Sequence, residues 1–551
     1  AGGDADFRPG WPLSRVGPTR FVGSLFYLQP GTGYDVRVTF HDTTGGTLDG
    51  VVVSASQATR AEVPLPLPAH SYFVSPGGTG SACSAGQPCA LAQALSQAQP
   101  GEEIVLLPGV YPLGDLAPPR SGAAGAPIVI RADAAGTAVL DGADPGAFAW
   151  TAAGGGVYHT TVTNADPHVV LADGQRLFPY ASLAALQSLQ WGQPGGCYAD
   201  GTSLYVRLPG DANPASVQMV ISRFNQAFTV GQDWLCFIGL VFRHYGCGGY
   251  AKAVYLNDAS DNLIRGCTFA SNDLGVGLKR DSHRNVIEDC EFYDTIFSWS
   301  WDAVKTTGGL EDGGVAFYDP MTGRGTVIRR NHFHDDFDGF HACPESEAGL
   351  TNETDIYDNL IEFMGDDGME TDGQCSNVRI WGNTFHDVLM GISLAPVYTG
   401  PVYAIRNLIY RTGAGNNDYT GSPFKFNSGY DTSGPMFLFH NTADAALPGN
   451  NGLYIKAPGT WTGLVARNNI WAGTAFALEN YNTTQPADLD YDDLWNDHLE
   501  DLVRWNGTRY PALGDFQQAV GQELNGLSVP PGFSDAAGVD YTLHPASALI
   551  D

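Results

Sequence analysis

Between Phe237 and Asn480 one short phrase keeps returning, and its period restricts the chain to a stack of similar turns. It reads Ile264-Arg-Gly-Cys-Thr-Phe269, Ile287-Glu-Asp-Cys-Glu-Phe292, Ile328-Arg-Arg-Asn-His-Phe333 and Ile356-Tyr-Asp-Asn-Leu-Ile361. It continues as Ile380-Trp-Gly-Asn-Thr-Phe385, Ala404-Ile-Arg-Asn-Leu-Ile409, Leu438-Phe-His-Asn-Thr-Ala443 and Val465-Ala-Arg-Asn-Asn-Ile470. The fourth position falls on Cys267, Cys290, Asn331, Asn359, Asn383, Asn407, Asn441 and Asn468. Most spacings lie between 23 and 28 residues, and two longer ones of 41 and 34 leave room for loops. A period in this range marks a solenoid. Apolar residues alternate with period two, with glycines between the runs and no helical periodicity, so each repeat is one coil of a parallel β-helix. The Asn side chains are predicted to stack in a ladder, each amide bonding the next, because buried amides require partners.

Composition agrees with a large all-β chain. Sixty-nine Gly and 34 Pro supply turns, while 43% hydrophobic and 11% aromatic residues exclude disorder. A formal charge of −31 leaves no basic surface to displace counterions from nucleic acid, and no apolar run is long enough to cross a bilayer. The acidity fits solubility outside the cell, and a secreted chain is expected; a start at Ala1-Gly-Gly without Met suggests a processed or trimmed start. Nine cysteines leave at least one outside intrachain pairs. Cys83 and Cys89 are expected to pair. Cys343 and Cys375 are placed to staple adjacent coils, and Cys267 with Cys290 are either a disulfide or two free thiols in the ladder.

The chain changes character ahead of the solenoid. Residues 21–28 read as a strand, Tyr34 enters another, and Val51 to Ser54 and Ala58 to Val63 supply two more. Leu28, Pro30, Thr32, Tyr34 and Val36 resemble the tyrosine corner of fibronectin type III domains, implying a small β-sandwich-like module over residues 1–63. A stiff linker of alternating Pro and Leu follows over residues 64–70. Then come Tyr72-Phe-Val-Ser-Pro-Gly-Gly-Thr-Gly80, an amphipathic stretch from Leu91 to Ala98, and Pro100-Gly-Glu-Glu-Ile-Val-Leu-Leu-Pro-Gly-Val-Tyr111. With Asp540-Tyr-Thr-Leu-His-Pro-Ala-Ser-Ala-Leu-Ile-Asp551 at the far end, these phrases resemble the opening and closing of secreted right-handed parallel β-helix proteins of the pectate-lyase-like and polygalacturonase-like kind. That resemblance implies a right-handed β-helix over residues 71–551, with Leu91–Ala98 as a capping helix and an extension at the C-terminus. It implies no single activity, since the architecture hosts hydrolases, lyases, epimerases and adhesins.

Function must come from the outward face. A second strand follows a Gly in each coil, as in Gly314-Val-Ala-Phe-Tyr318, Gly339-Phe-His-Ala-Cys343, Gly368-Met-Glu-Thr-Asp372 and Gly391-Ile-Ser-Leu-Ala395. Alternation sends Val315/Phe317, Phe340/Ala342, Met369/Thr371, Ile392/Leu394 and Phe424/Phe426 inward. The outward set is Lys279, Tyr318, His341, Cys343, Glu370, Asp372, Ser393, Lys425, Asn427, Tyr454 and Lys456. The residue before the Gly is a carboxylate in only two coils, so Asp338 and Asp367 should stack about one strand spacing apart.

Crowded carboxylates either share protons or hold a cation. Cleavage of a glycosidic bond needs one protonated acid and one carboxylate. Asp338, Asp367, Glu370 and Asp372, with His341 beside them, are the candidate catalytic residues. Lys279, Arg280, Tyr318, Lys425, Asn427, Tyr454 and Lys456 are candidate contacts to a polysaccharide, and Trp299 and Trp301 are candidate stacking platforms for sugar rings. Elimination from a uronic acid is the alternative, with a Lys base and Ca²⁺ held by Asp366, Asp367, Glu370 and Asp372. A glycan-binding or structural β-helix is the third reading. Confinement of titratable groups to two or three coils favours an enzyme, and the bare acidic centre favours a hydrolase.

Overall fold

The structure, a computed structural model, describes residues 10, 13–16, 20–41, 45–164, 166–311, 313–344, 351–426, 432–456, 459–496 and 501–550. The chain divides into two compact units, Ala1–Leu67 and Pro68–Asp551. In the first, Gly33–Thr39 and Val52–Ala58 form an antiparallel pair, and Ser14–Arg15 pairs with Phe21–Val22. The Tyr34 hydroxyl accepts the Gln29 N–H at 2.8 Å, so the residues read as a tyrosine corner do close a local loop. The expected strand over 21–28 stops after Val22, where Gly23 and Ser24 break the run. The two strands expected at 51–54 and 58–63 are one strand, Val52–Ala58, because no turn residue interrupts it, and 59–63 is not strand.

The second unit is a right-handed parallel β-helix. Thirteen strands, from Ser71–Val74 to Ala487–Asp490, form one sheet in which each coil pairs with the next. An eighteen-stranded sheet makes the other wall, and its strands bend so that one coil contributes two faces. Leu360–Glu370 shows this: Ile361 pairs with Phe385 before the bend, and Glu370 pairs with Ser393 after it. The predicted helix is present at Leu91–Gln97, with Leu91, Ala94 and Leu95 buried in the coil's core. Inside, Phe269, Phe292 and Phe333 stack at 4.6 and 4.7 Å between ring centroids. Every side chain predicted to point inward from the post-Gly strands quoted above is buried.

The Asn ladder exists. Asn383 Nδ2 donates to Ile356 O and to Asn407 Oδ1, both at 3.0 Å, while its Oδ1 accepts from Asn359 N at 3.0 Å and Asn359 Nδ2 at 2.9 Å. The same four-bond pattern recurs at Asn359, Asn407 and Asn441, and Asn331 keeps three of the four because Cys290 stands above it. One rung was expected a residue too early. Asn469, not Asn468, continues the ladder, bonding Asn441 above and Asp492 below. Asn468 instead occupies the left-handed turn position (φ 55°) that Arg406 and His440 fill in the coils before it. Cys267 and Cys290 are free thiols in the ladder: the Cys267 N–H reaches Cys290 Sγ at 3.4 Å, and the Cys290 N–H reaches Asn331 Oδ1 at 3.0 Å. Cys83–Cys89 and Cys343–Cys375 are disulfides.

A second layer was not legible in advance. Between Asp144 and Phe224 the chain leaves the coil and builds a five-stranded and a three-stranded sheet. These have their own core of Val162, Val170, Leu177, Cys197, Leu204, Val206, Leu208 and Ile221. At the C-terminal end, Leu513–Val520 is a helix whose Phe516 is fully buried in the coil's core, and the Tyr541 hydroxyl donates to Asp444 Oδ2 at 3.0 Å.

Candidate active site

Strand register assembles the site. Ala316 pairs with His341, His341 with Glu370, Glu370 with Ser393, and Ser393 with Lys425. These residues form one outward column across five coils. Three residues earlier, Asp338 and Asp367 occupy a second column, and the Asp367 N–H donates to Asp338 Oδ1 at 3.0 Å. The Gly after each carboxylate is needed because coils approach closely there: a Cβ at Gly339 would overlap the Gly368 carbonyl. A groove of about 350 Å³ opens over this face, lined by Tyr250, Glu311, Tyr318, Asp338, His341 and Glu370.

Six carboxylates share two lysines. Lys425 Nζ lies 2.5 Å from Asp367 Oδ2, 3.7 Å from Asp372 Oδ2 and 4.0 Å from Glu370 Oε1. Lys305 Nζ lies 2.8 Å from Asp366 Oδ2 and 3.0 Å from Glu311 Oε1. Lys305 rides on the helix Trp301–Thr307 in the long connection between coils, where no repeat register announces it. Burial, reinforced by the charges of Asp338, Asp372 and Asp367, pushes the Glu370 carboxyl well above the usual carboxylate range; Lys425 offsets only part of this. Burial also raises Asp338, with Lys305 opposing and Asp366 and Asp367 adding to the rise. Burial works to lower Lys425, yet Asp367, Asp372, Asp366 and Glu370 outweigh it and hold the ammonium well above its ordinary value. A lysine so placed stays charged at neutral pH. It is an anchor, not a ready base.

Asp372 is fixed on one side by the Ser393 hydroxyl (2.5 Å) and the Ala395 N–H (3.0 Å), both donating to Oδ1. His341 Nε2 donates to the Asp372 carbonyl at 3.1 Å, which orients the ring. Of the expected calcium ligands, Asp366 and Asp367 cluster with Asp338, not with Glu370 and Asp372. One oxygen from each of Asp338, Asp366 and Asp367 lies within 4.8 Å of the others. Asp367 Oδ1 is buried without a hydrogen-bond partner, so this trio fits a divalent cation chemically.

The structure redistributes the outer residues. Tyr318 lines the groove, and Lys252, absent from the sequence reading, sits 4.4 Å over its ring. Lys279 pairs with Tyr318 in register. Arg280 turns to the Asn257 amide oxygen at 3.1 Å and to Asp258 at 3.6 Å. Tyr454 pairs with Glu479 beyond Lys425, and Lys456 is exposed one step further. Asn427 lies outside the described residues. Two expectations fail. Cys343 does not face out, because its disulfide to Cys375 draws it into the core. Trp299 is no sugar platform: it is 4% exposed, packed 5.1 Å from Phe178 of the inserted layer. Its amphipathic neighbourhood hid a partner more than a hundred residues away. Trp301 is half-buried, 4.6 Å from Tyr419, with Lys305 over its ring at 5.6 Å.

Comparison with known proteins fits the architecture. The family described as right handed beta helix region matches residues 252–428. No curated protein matches the sequence. Among solved structures, XylC in complex with xylose is similar at a TM-score of 0.52 and 13% identity, over 80% of this chain and 86% of that one. A structure described as a glycoside hydrolase gives 0.46 and 12% identity over 80% and 95% of the two chains. Pectate lyase Pel9A gives 0.41 and 15% over 88% and 91%. At 13% identity the likeness to the XylC structure is one of fold alone, and it agrees with the family match and the coil described above.

Proposed function

We propose that the protein is a secreted, carbohydrate-active enzyme that hydrolyses a polysaccharide in the groove over Glu370. One observation carries this reading: Glu370, which lines the groove, is a carboxyl pushed well above the usual carboxylate range by burial and like charge, two residues before a second, anchored carboxylate, Asp372. Glu370 donates a proton to the leaving oxygen. Asp372, held by Ser393 and Ala395, takes a proton from the attacking water. Glu370 Oε1 and Asp372 Oδ2 stand 4.0 and 3.7 Å from the same Lys425 Nζ, which keeps the two carboxyl groups within the range of spacings that glycosidic cleavage uses. Lys425 pairs with Asp367 and stands 3.7 Å from Asp372, and it gives the site one cation for a sugar hydroxyl or carboxylate. Two disulfides suit an oxidising compartment. The xylose bound by XylC supports a sugar ligand for this fold, at the level of fold alone.

A second reading draws on Asp338, Asp366 and Asp367. A divalent cation there would supply positive charge to a uronate carboxylate and weaken the hold of Asp367 on Lys425, which is what a lyase base needs. A panel of neutral and uronic-acid polysaccharides, with and without chelator, separates the two. Reducing ends without unsaturated uronate, insensitive to chelator, support hydrolysis. Ultraviolet-absorbing unsaturated products abolished by chelator overturn it in favour of elimination.

A further inference from the structure

A second group of ligand-type side chains lies on the neighbouring outward face of the same coils. His332 and His334 alternate along the strand His332–Asp336, so both rings leave the sheet on one side. Their centroids are 4.3 Å apart. Glu291 pairs with His332 from the coil before, and Glu362 pairs with His334 from the coil after. One nitrogen of each imidazole and one oxygen of Glu291 lie within 4.8 Å of one another.

The ring orientations point the same way. His334 Nδ1 sits 2.8 Å from the Asp335 carboxylate, an acceptor only, so Nδ1 donates there and Nε2 is the nitrogen left to face Glu291. That Nε2 is buried, has no hydrogen-bond partner, and faces Glu291 Oε1 at 3.6 Å. The separation exceeds a hydrogen bond and leaves an imidazole nitrogen and a carboxylate oxygen, both ligand atoms, converging on one point. His332 is held in turn by Glu362 at 2.8 Å, whose other oxygen lies 2.9 Å from His386 Nε2. Imidazoles oriented by carboxylates through one ring nitrogen are the arrangement that metal-binding histidines adopt.

We infer that Glu291, His332 and His334 form a binding site for a transition-metal dication of the Zn²⁺ type. Two imidazoles and one carboxylate suit Zn²⁺, Co²⁺ or Ni²⁺, whereas Ca²⁺ and Mg²⁺ prefer oxygen throughout. Glu291 and His332 stand 41 residues apart, at the two ends of the connection that carries Lys305. A metal here would pin adjacent coils together where that connection departs.

The test is calorimetric titration of the chelator-treated full chain with ZnCl₂, CaCl₂ and MgCl₂. One saturable Zn²⁺ equivalent is expected, unchanged in Asp367→Asn, weakened about tenfold or more in Glu362→Gln, and abolished in His334→Ala and in Glu291→Gln. Co²⁺ at the same site should give visible ligand-field absorption that Zn²⁺ displaces. Melting with and without Zn²⁺ reports the same site without any variant, with the bound form melting higher. Absence of saturable Zn²⁺ binding to the unmutated chain overturns the inference. So does wild-type affinity in a folded His334→Ala variant, or Zn²⁺ binding that disappears only in Asp367→Asn.

Discussion

Replacing Asn383 by Leu keeps a branched side chain of similar shape and deletes four ladder hydrogen bonds at once. The partners are affected unequally. The Asn359 N–H loses its acceptor inside the core, while Asn359 Nδ2 keeps a bond to Ile328 O at 3.0 Å. One fully orphaned buried donor costs about 1–3 kcal/mol, so a total destabilisation of about 3 kcal/mol is expected once the weakened neighbours are included. Urea unfolding of the full chain should show a lower midpoint at unchanged slope. A double-mutant cycle sharpens the test. Asn359→Leu with Asn383→Leu removes both members of their side-chain bond, while the residue 359 N–H stays orphaned, so the pair should cost less than the sum by about 1 kcal/mol, the worth of one hydrogen bond. Asn331→Leu with Asn441→Leu, four rungs apart, should add within about 0.5 kcal/mol. Additivity in the adjacent pair, or a loss below about 1 kcal/mol for Asn383→Leu alone, would refute cooperative satisfaction along the ladder.

Other outcomes follow from particular contacts. Asn469→Leu should destabilise about as much as Asn383→Leu, whereas Asn468→Ala should cost about 1 kcal/mol, the price of a left-handed residue without an amide; thermal melting ranks the two. Glu370 and Asp338 have folded-state pKa values raised above their unfolded ones. The folded state therefore binds more protons between those values, and stability falls as pH rises from the ordinary carboxylate range to the raised values. Melting temperature should drop between mildly acidic and mildly alkaline pH, and Glu370→Gln should melt higher than the unmutated chain at the alkaline end, with the difference vanishing below about pH 4. The lysines do not oppose this trend, because stabilisation from a raised lysine pKa is lost only above about pH 10. Removing Cys343–Cys375, which closes a 32-residue separation, should cost up to about 4 kcal/mol by chain entropy, read by urea unfolding of the Cys343→Ala, Cys375→Ala double variant against the unmutated chain, both without reductant. Lys425→Ala should raise KM more than it lowers kcat if the groove hydrolyses, and should remove turnover if Lys425 is an elimination base.

The coil was legible because its determinants repeat. Asn, Ile and Phe recur in phase, and each is buried by the copy above and below it, so pattern and packing coincide. The register slipped only at Asn468–Asn469, where two adjacent amides made either a valid choice and only the turn conformation decides. Asp338 and Asp367 could be stacked in advance since both precede the Gly of consecutive coils. Lys305 and Glu311 could not, since they lie in a connection without repeat register, Lys305 on its helix and Glu311 beyond the helix's end. The layer between Asp144 and Phe224 escaped for a related reason: short antiparallel strands give the same alternation as coil strands, and nothing local marks their different pairing. Trp299 was misplaced because its burial depends on Phe178, a contact sequence spacing does not encode.

The central claim is that Glu370 delivers a proton during glycan cleavage. The direct measurement is the rate of reducing-end release from a polysaccharide that the unmutated protein degrades, compared with Glu370→Gln, with substrate binding measured on both. Loss of about 10²–10⁴-fold in rate with binding retained is predicted, the usual contribution of a positioned general acid. Undiminished cleavage by Glu370→Gln would contradict the account.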